Sequence, residues 1–124
     1  MTSKKLALEA TRIAEEKKAR EIVLLDLRGI SVICDYFLIC SGESFIHMRT
    51  IARELEEKLS RKGINLLNTG EYLNERWILL DFGDLVVHIF SPEAREYYQL
   101  ERVWADAKRK DIGDFSRKKK EINI

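Results

Sequence analysis

Residues 77–90 read Trp77-Ile78-Leu79-Leu80-Asp81-Phe82-Gly83-Asp84-Leu85-Val86-Val87-His88-Ile89-Phe90. Two apolar runs separated by Gly-Asp carry the signature of a β-hairpin whose two-residue loop takes a primed turn. A closed loop of this length also fixes the register of the two strands. Phe82 then faces Leu85, Leu80 faces Val87 and Ile78 faces Ile89 on one side, all apolar, and this side reads as core. On the other side Asp81 faces Val86, Leu79 faces His88 and Trp77 faces Phe90. That mixture of large apolar groups with a carboxylate and an imidazole is either closed over by the element that follows or offered to a partner.

Working outward, Ser91 as N-cap and Pro92 at the first helical position start a last helix, PEAREYYQLERVWADAK, over residues 92–108. Upstream, Ile64 to Leu67 predicts a short strand, followed by Asn68-Thr69-Gly70 and a polar connection from Glu71 to Glu75. Residues 45–61 form the best helix of the chain: Phe45, Met48, Ala52, Leu55 and Leu59 recur at spacings of three and four, Ser44 caps the start and Gly63 stops it. Glu21 to Leu27 and Cys34 to Cys40 are apolar on both parities, which suits strands covered on both faces. Leu6, Ala10, Ile13 and Ala14 predict a first helix over residues 3–19 with Ser3 as its cap. The order α-β-β-α-β-β-β-α predicts a single α/β domain, a five-stranded mixed sheet with helices packed on it.

The whole chain has 124 residues, enough for one domain whose core needs no disulfide or structural metal. Its net charge of +1 excludes a protein that coats nucleic acid through overall basicity. The longest apolar runs, Ile22 to Leu25 and Tyr36 to Cys40, are far short of the roughly 18 residues of a membrane span, and acidic residues arrive before any apolar signal region. The expectation is a cytoplasmic protein with no membrane partner. Cys34 and Cys40, if on one strand, lie about 20 Å apart, against about 7 Å for a disulfide, so both are expected to be free thiols in a reducing compartment. His88 has no second ligand at metal spacing and is expected to be packed and hydrogen-bonded. His47, close to the start of a helix, is expected to be neutral and structural or surface-exposed. No cofactor or metal is expected.

The run from Asp35 through Tyr36-Phe37-Leu38-Ile39-Cys40-Ser41-Gly42-Glu43-Ser44, the Trp77–Phe90 hairpin, and Arg95-Glu96-Tyr97-Tyr98-Gln99-Leu100-Glu101 ending at Trp104 together resemble the ribosomal silencing factor family, also called Iojap-like. The resemblance covers residues 3–107, and its most specific parts are W-x-x-x-D-x-G-D-x-x-V-H and Y-x-L-E-x-x-W. It implies a non-enzymatic translation repressor with a fold distantly related to nucleotidyltransferases. It further implies binding to the fourteenth large-subunit ribosomal protein, which blocks joining of the small subunit and lowers protein synthesis when nutrients are short. Homodimers in isolation and a bacterial cytoplasmic setting belong to the same expectation. The domain is then residues 1–108, followed by a basic tail over 109–124.

Aromatics with adjacent charges are typical of interface hot spots. Trp77, Leu79, Asp81, Val86, His88, Tyr98, Leu100, Glu101 and Trp104 therefore form the pool expected to hold the ribosomal-protein contacts, part of it serving the core. Residues 105–124 hold seven basic and four acidic side chains. Lys118, Lys119 and Lys120 in this tail either rest on ribosomal RNA phosphates or stay solvated. Two rival functions remain, a nucleotidyltransferase-like catalyst using Asp81 and Asp84 and a small RNA-binding protein relying on the tail. Against catalysis, Ser41-Gly42-Glu43-Ser44 has the position of a phosphate loop but places Glu43 where an anion would sit, and Asp81 and Asp84 straddle a turn rather than pair for magnesium.

Overall fold

The structure, a computed structural model, describes residues 1–67, 71–98 and 108–110. Helix α1 runs Ser3–Glu16. Its cap is Thr2 rather than the expected Ser3, because the Thr2 hydroxyl reaches the Lys5 N–H at 3.2 Å. It also ends earlier than residue 19. Lys18 adopts a left-handed φ of +61°, and Ala19 N–H and Lys18 N–H return to the carbonyls of Ala14 (3.0 Å) and Glu15 (2.9 Å). That crossed pair of bonds is a Schellman motif, which satisfies the last carbonyls and turns the chain into the sheet. Helix α2, Phe45–Arg61, begins and ends as expected. The Ser44 hydroxyl accepts the His47 N–H at 3.1 Å, and the same motif closes the helix at Gly63, φ +83°.

The strands are β1 (Arg20–Asp26), β2 (Tyr36–Ser41), β3 (Glu71–Asn74), β4 (Trp77–Asp81), β5 (Leu85–Phe90) and β6 (Lys108–Lys110), with helix α3 described over Pro92–Tyr98 after β5. They form one sheet in the order β3-β4-β5-β2-β1-β6. Its central pair, β2 with β5, is parallel, and the other pairs are antiparallel. The expected mixed α/β sheet is thus present, with two corrections. It has six strands rather than five, of which β4, β5, β2 and β1 are five residues or longer. The third strand is Glu71–Asn74, not Ile64 to Leu67. Ile64 and Leu66 instead pack against the core from an irregular segment, whose Leu67 N–H donates to the Asp81 carbonyl at 2.9 Å. The sixth strand spans residue 108, where the domain was expected to give way to its tail.

The hairpin has the expected register: Trp77 opposite Phe90, Ile78 opposite Ile89, Leu79 opposite His88, Leu80 opposite Val87 and Asp81 opposite Val86. Gly83 supplies φ +92° at the first loop position, and Phe82 N–H closes the turn on the Leu85 carbonyl at 2.8 Å. Parity along the strands sorts the core into two layers. Ile78, Leu80, Val87 and Ile89 join Leu24, Tyr36 and Leu38 beneath α1 and α2. Leu25, Ile39, Val86 and Phe90 lie on the opposite face with Ala94 of α3. Cys40 belongs to the first layer and Cys34, just before β2, to the second, so the two free thiols sit on opposite faces of the sheet.

Candidate functional site

The second face of the sheet carries an aromatic cluster built by alternation. Trp77 and Phe90 are cross-strand partners with ring centroids 5.1 Å apart, and Phe37 of β2 meets the His88 ring edge-on at 4.7 Å. His88 and Phe90 lie two residues apart on β5, their rings nearly parallel at 6.2 Å. The Trp77 indole N–H donates to His88 Nδ1 at 3.2 Å, which leaves the imidazole proton on Nε2. That Nε2 is buried and has no hydrogen-bond partner among the described residues. Burial alone pulls the imidazole down to about 4, so His88 is neutral at physiological pH.

The described part of helix α3 lies on this face. Ala94 packs into it and the buried Arg95 reaches the Ser41 hydroxyl at 3.3 Å, while Phe37, Trp77 and Leu79 keep part of their surface exposed. Of the expected contact pool, Trp77, Leu79, Asp81, Val86 and His88 share this one face. Val86 and His88 are nearly closed off, at 8% and 5% exposure. Asp81 already has a local task, its carboxylate accepting the Gly83 N–H at 2.9 Å. Tyr98 ends α3. Leu100, Glu101 and Trp104, like Lys118, Lys119 and Lys120, lie outside the described residues. The sequence pool omitted Phe37, although its parity within the run Tyr36 to Cys40 places it on the same side.

The loop that could have cradled a phosphate spends its N–H groups internally. Gly42 N–H donates to the Phe90 carbonyl at 3.0 Å, Glu43 N–H to His47 Nδ1 at 2.9 Å, and His47 N–H to Ser44. His47 Nε2 in turn reaches the Lys17 carbonyl at 2.8 Å, so this side chain ties the end of α1 to the start of α2. Glu43 pairs with Arg20. A Cβ on Gly42 would stand 2.7 Å from Met48 Cγ and 2.9 Å from its backbone nitrogen, which shows how tightly α2 sits on the end of β2. Among the described residues, no three His, Cys, Asp or Glu side chains are arranged to hold a metal ion, and no helix is long and apolar enough to cross a membrane.

The family model described as "Ribosomal silencing factor during starvation" matches residues 1–123. The chain belongs to the ribosomal silencing factor family. A protein named Ribosomal silencing factor RsfS from Bacillus subtilis is 39% identical over 112 residues, covering 90% of this chain and 95% of that one. Another of that name, from Halalkalibacterium halodurans, is 41% identical over 107 residues, covering 86% and 92%. A crystal structure of a protein from Chromobacterium violaceum superposes with a TM-score of 0.80 at 26% identity, covering 85% of this chain and 88% of that one. The names of these silencing-factor relatives describe regulators rather than catalysts.

Proposed function

We propose that this protein represses translation by occupying the large ribosomal subunit. It binds the fourteenth large-subunit ribosomal protein through the second face of its sheet and thereby keeps the small subunit from joining. Membership in the silencing-factor family supports the ribosomal setting. The observation that carries the choice of surface is Trp77, a large ring only half-buried beside Leu79 and Phe37 on the second face of the sheet. A half-exposed tryptophan among packed aromatics has the makings of an anchor, since its neighbours hold it still before any partner arrives.

The mechanism is steric and needs no reaction. The internally bonded Ser41–Ser44 loop and the turn-capping role of Asp81 support this reading over transfer chemistry. Cosedimentation of the protein with purified subunits is the direct test, run with Trp77→Ala alongside the parent. The parent should travel with large subunits alone and suppress their joining. Trp77→Ala should keep a cooperative melt while binding about 30- to 1000-fold more weakly, the usual loss for a central interface aromatic. Normal binding by the variant would move the contact to another surface, and absence of the parent from large-subunit fractions would end the ribosomal reading.

A further inference from the structure

The end of the sheet away from Trp77 carries an apolar tip. The connection from Leu27 to Asp35 is pinned by its own backbone. Ile30 N–H and Ser31 N–H donate to the Leu27 carbonyl at 3.0 and 2.9 Å, and Leu27 N–H donates to the Asp35 carbonyl at 2.8 Å. The Ser31 hydroxyl accepts the Ile33 N–H at 3.1 Å. Cys34 then drops into the second-face cluster beside Val86. With the backbone so held, Ile30, Val32 and Ile33 are turned outward, at 45%, 104% and 82% exposure. A single exposed aliphatic side chain calls for no explanation, but three branched ones within four residues on a tied loop do.

Carboxylates flank this tip on its β4–β5 side, while Arg28 and the basic strand β6 lie on its β1 side. Asp35 and Tyr36 N–H groups both donate to the Asp84 carbonyl, at 2.9 and 3.0 Å, which sets the loop directly against the β4–β5 turn carrying Asp81 and Asp84. The same three carboxylates, after burial, help push the Cys34 thiol up to about 11. Asp35, Asp81 and Asp84 form no ion pair among the described residues, and the nearby Arg28 guanidinium is bound to Asp26 at 2.7 Å. The tip is therefore apolar, with an acidic rim on the side of the β4–β5 turn.

We propose that this tip is a second anchor for a basic protein surface, Val32 and Ile33 entering an apolar depression while lysine or arginine side chains around it meet Asp35 and Asp84. The charge selects that occupant. A second copy docking tip to tip across a two-fold axis would set carboxylate against carboxylate, and RNA or an anionic membrane meeting the acidic side would be repelled in the same way. Cys34 and Val86 tie the loop to the aromatic face through the buried second-face cluster, so the tip and Trp77 lie towards opposite ends of the same side of the sheet. The identity of the partner, a protein of the large subunit, rests on the function proposed above.

The test is a Val32→Asp, Ile33→Asp double variant of the full chain, compared with the parent and Trp77→Ala in large-subunit cosedimentation. Both positions are exposed, so the melt should be unchanged while binding weakens about tenfold or more. Asp84→Lys, which leaves the apolar tip intact, should also weaken binding and flatten its dependence on salt. Parent-like binding by the double variant, with Trp77→Ala still defective, would overturn the tip and leave the ribosomal reading standing. Failure of the parent to bind large subunits would remove both. Loss of a parental homodimer in sedimentation equilibrium, with subunit binding retained, would assign the tip to a second copy instead.

Discussion

Ile78, Leu80 and Leu38 are fully buried beneath α1 and α2, whereas Trp77, Leu79 and Phe37, their immediate neighbours on the same strands, keep part of their surface in solvent on the other side. Chemically the two sets are alike. Parity assigns each residue to a face: on one side α1 and α2, fourteen and seventeen residues long, close over the sheet, and on the other Trp77, Leu79 and Phe37 stay half-buried. Stability is thus concentrated on the helix side. The other side keeps large rings that are positioned but not sealed, the condition a docking surface needs.

The strongest challenge to that division is a cavity on the helix side. Leu55→Ala, at a fully buried position of α2, should cost about 2–5 kcal/mol, a large share of what a domain of this size has. Denaturant melts should show this loss exceeding the loss of stability in Trp77→Ala. The reverse ranking would mean that the aromatic face holds the fold together.

His88 gives a second handle, smaller and dependent on pH. Its imidazole titrates at about 4 in the folded protein and near 6.5 when unfolded, so between those values the unfolded chain holds more protons. Stability therefore falls as pH drops through this window, by about 3 kcal/mol in all, and the penalty is constant below it. Urea midpoints at pH 7 and pH 4.5 should differ less in His88→Gln than in the parent. Equal pH dependence in the two would show that water reaches the imidazole and that the face is more open than described. Smallest is Lys18→Gly at the left-handed residue closing α1, expected to stabilise by about 0.5–1 kcal/mol in thermal melts. Large-subunit binding should not change, since this site belongs to the helix side, and altered binding would show that the two faces are coupled.

The hairpin was legible because alternation, a Gly-Asp loop and paired apolar runs all pointed to one register. Helix α2 was legible because Ser44 and Gly63 bracket a clean apolar stripe. What escaped depended on other signals. Ile64 to Leu67 is apolar enough to pass for a strand, yet only Ile64 and Leu66 pack on the core, without any ladder, and Leu67 stays exposed. Glu71–Asn74 and Lys108–Lys110 are strands through backbone pairing at the sheet's two edges, where no apolar pattern is required. At the candidate site, the facing of Trp77, Leu79, Asp81, Val86 and His88 followed from the register. The closure of Val86 and His88 did not, because it depends on packing against the face from outside the hairpin. His47 bridges two elements thirty residues apart in sequence, which local spacing could not reveal.

Among the described residues the two outermost strands, β3 and β6, are also the shortest, four and three residues, and in sequence β6 is wholly basic. An open sheet edge invites another chain to extend it, and short or lysine-rich margins discourage this. β6 pairs with β1 although more than eighty residues separate them in sequence. During synthesis the outer edge of β1 must therefore wait, unpaired, until nearly the whole chain has left the ribosome, and self-association through that edge is the hazard of incomplete chains.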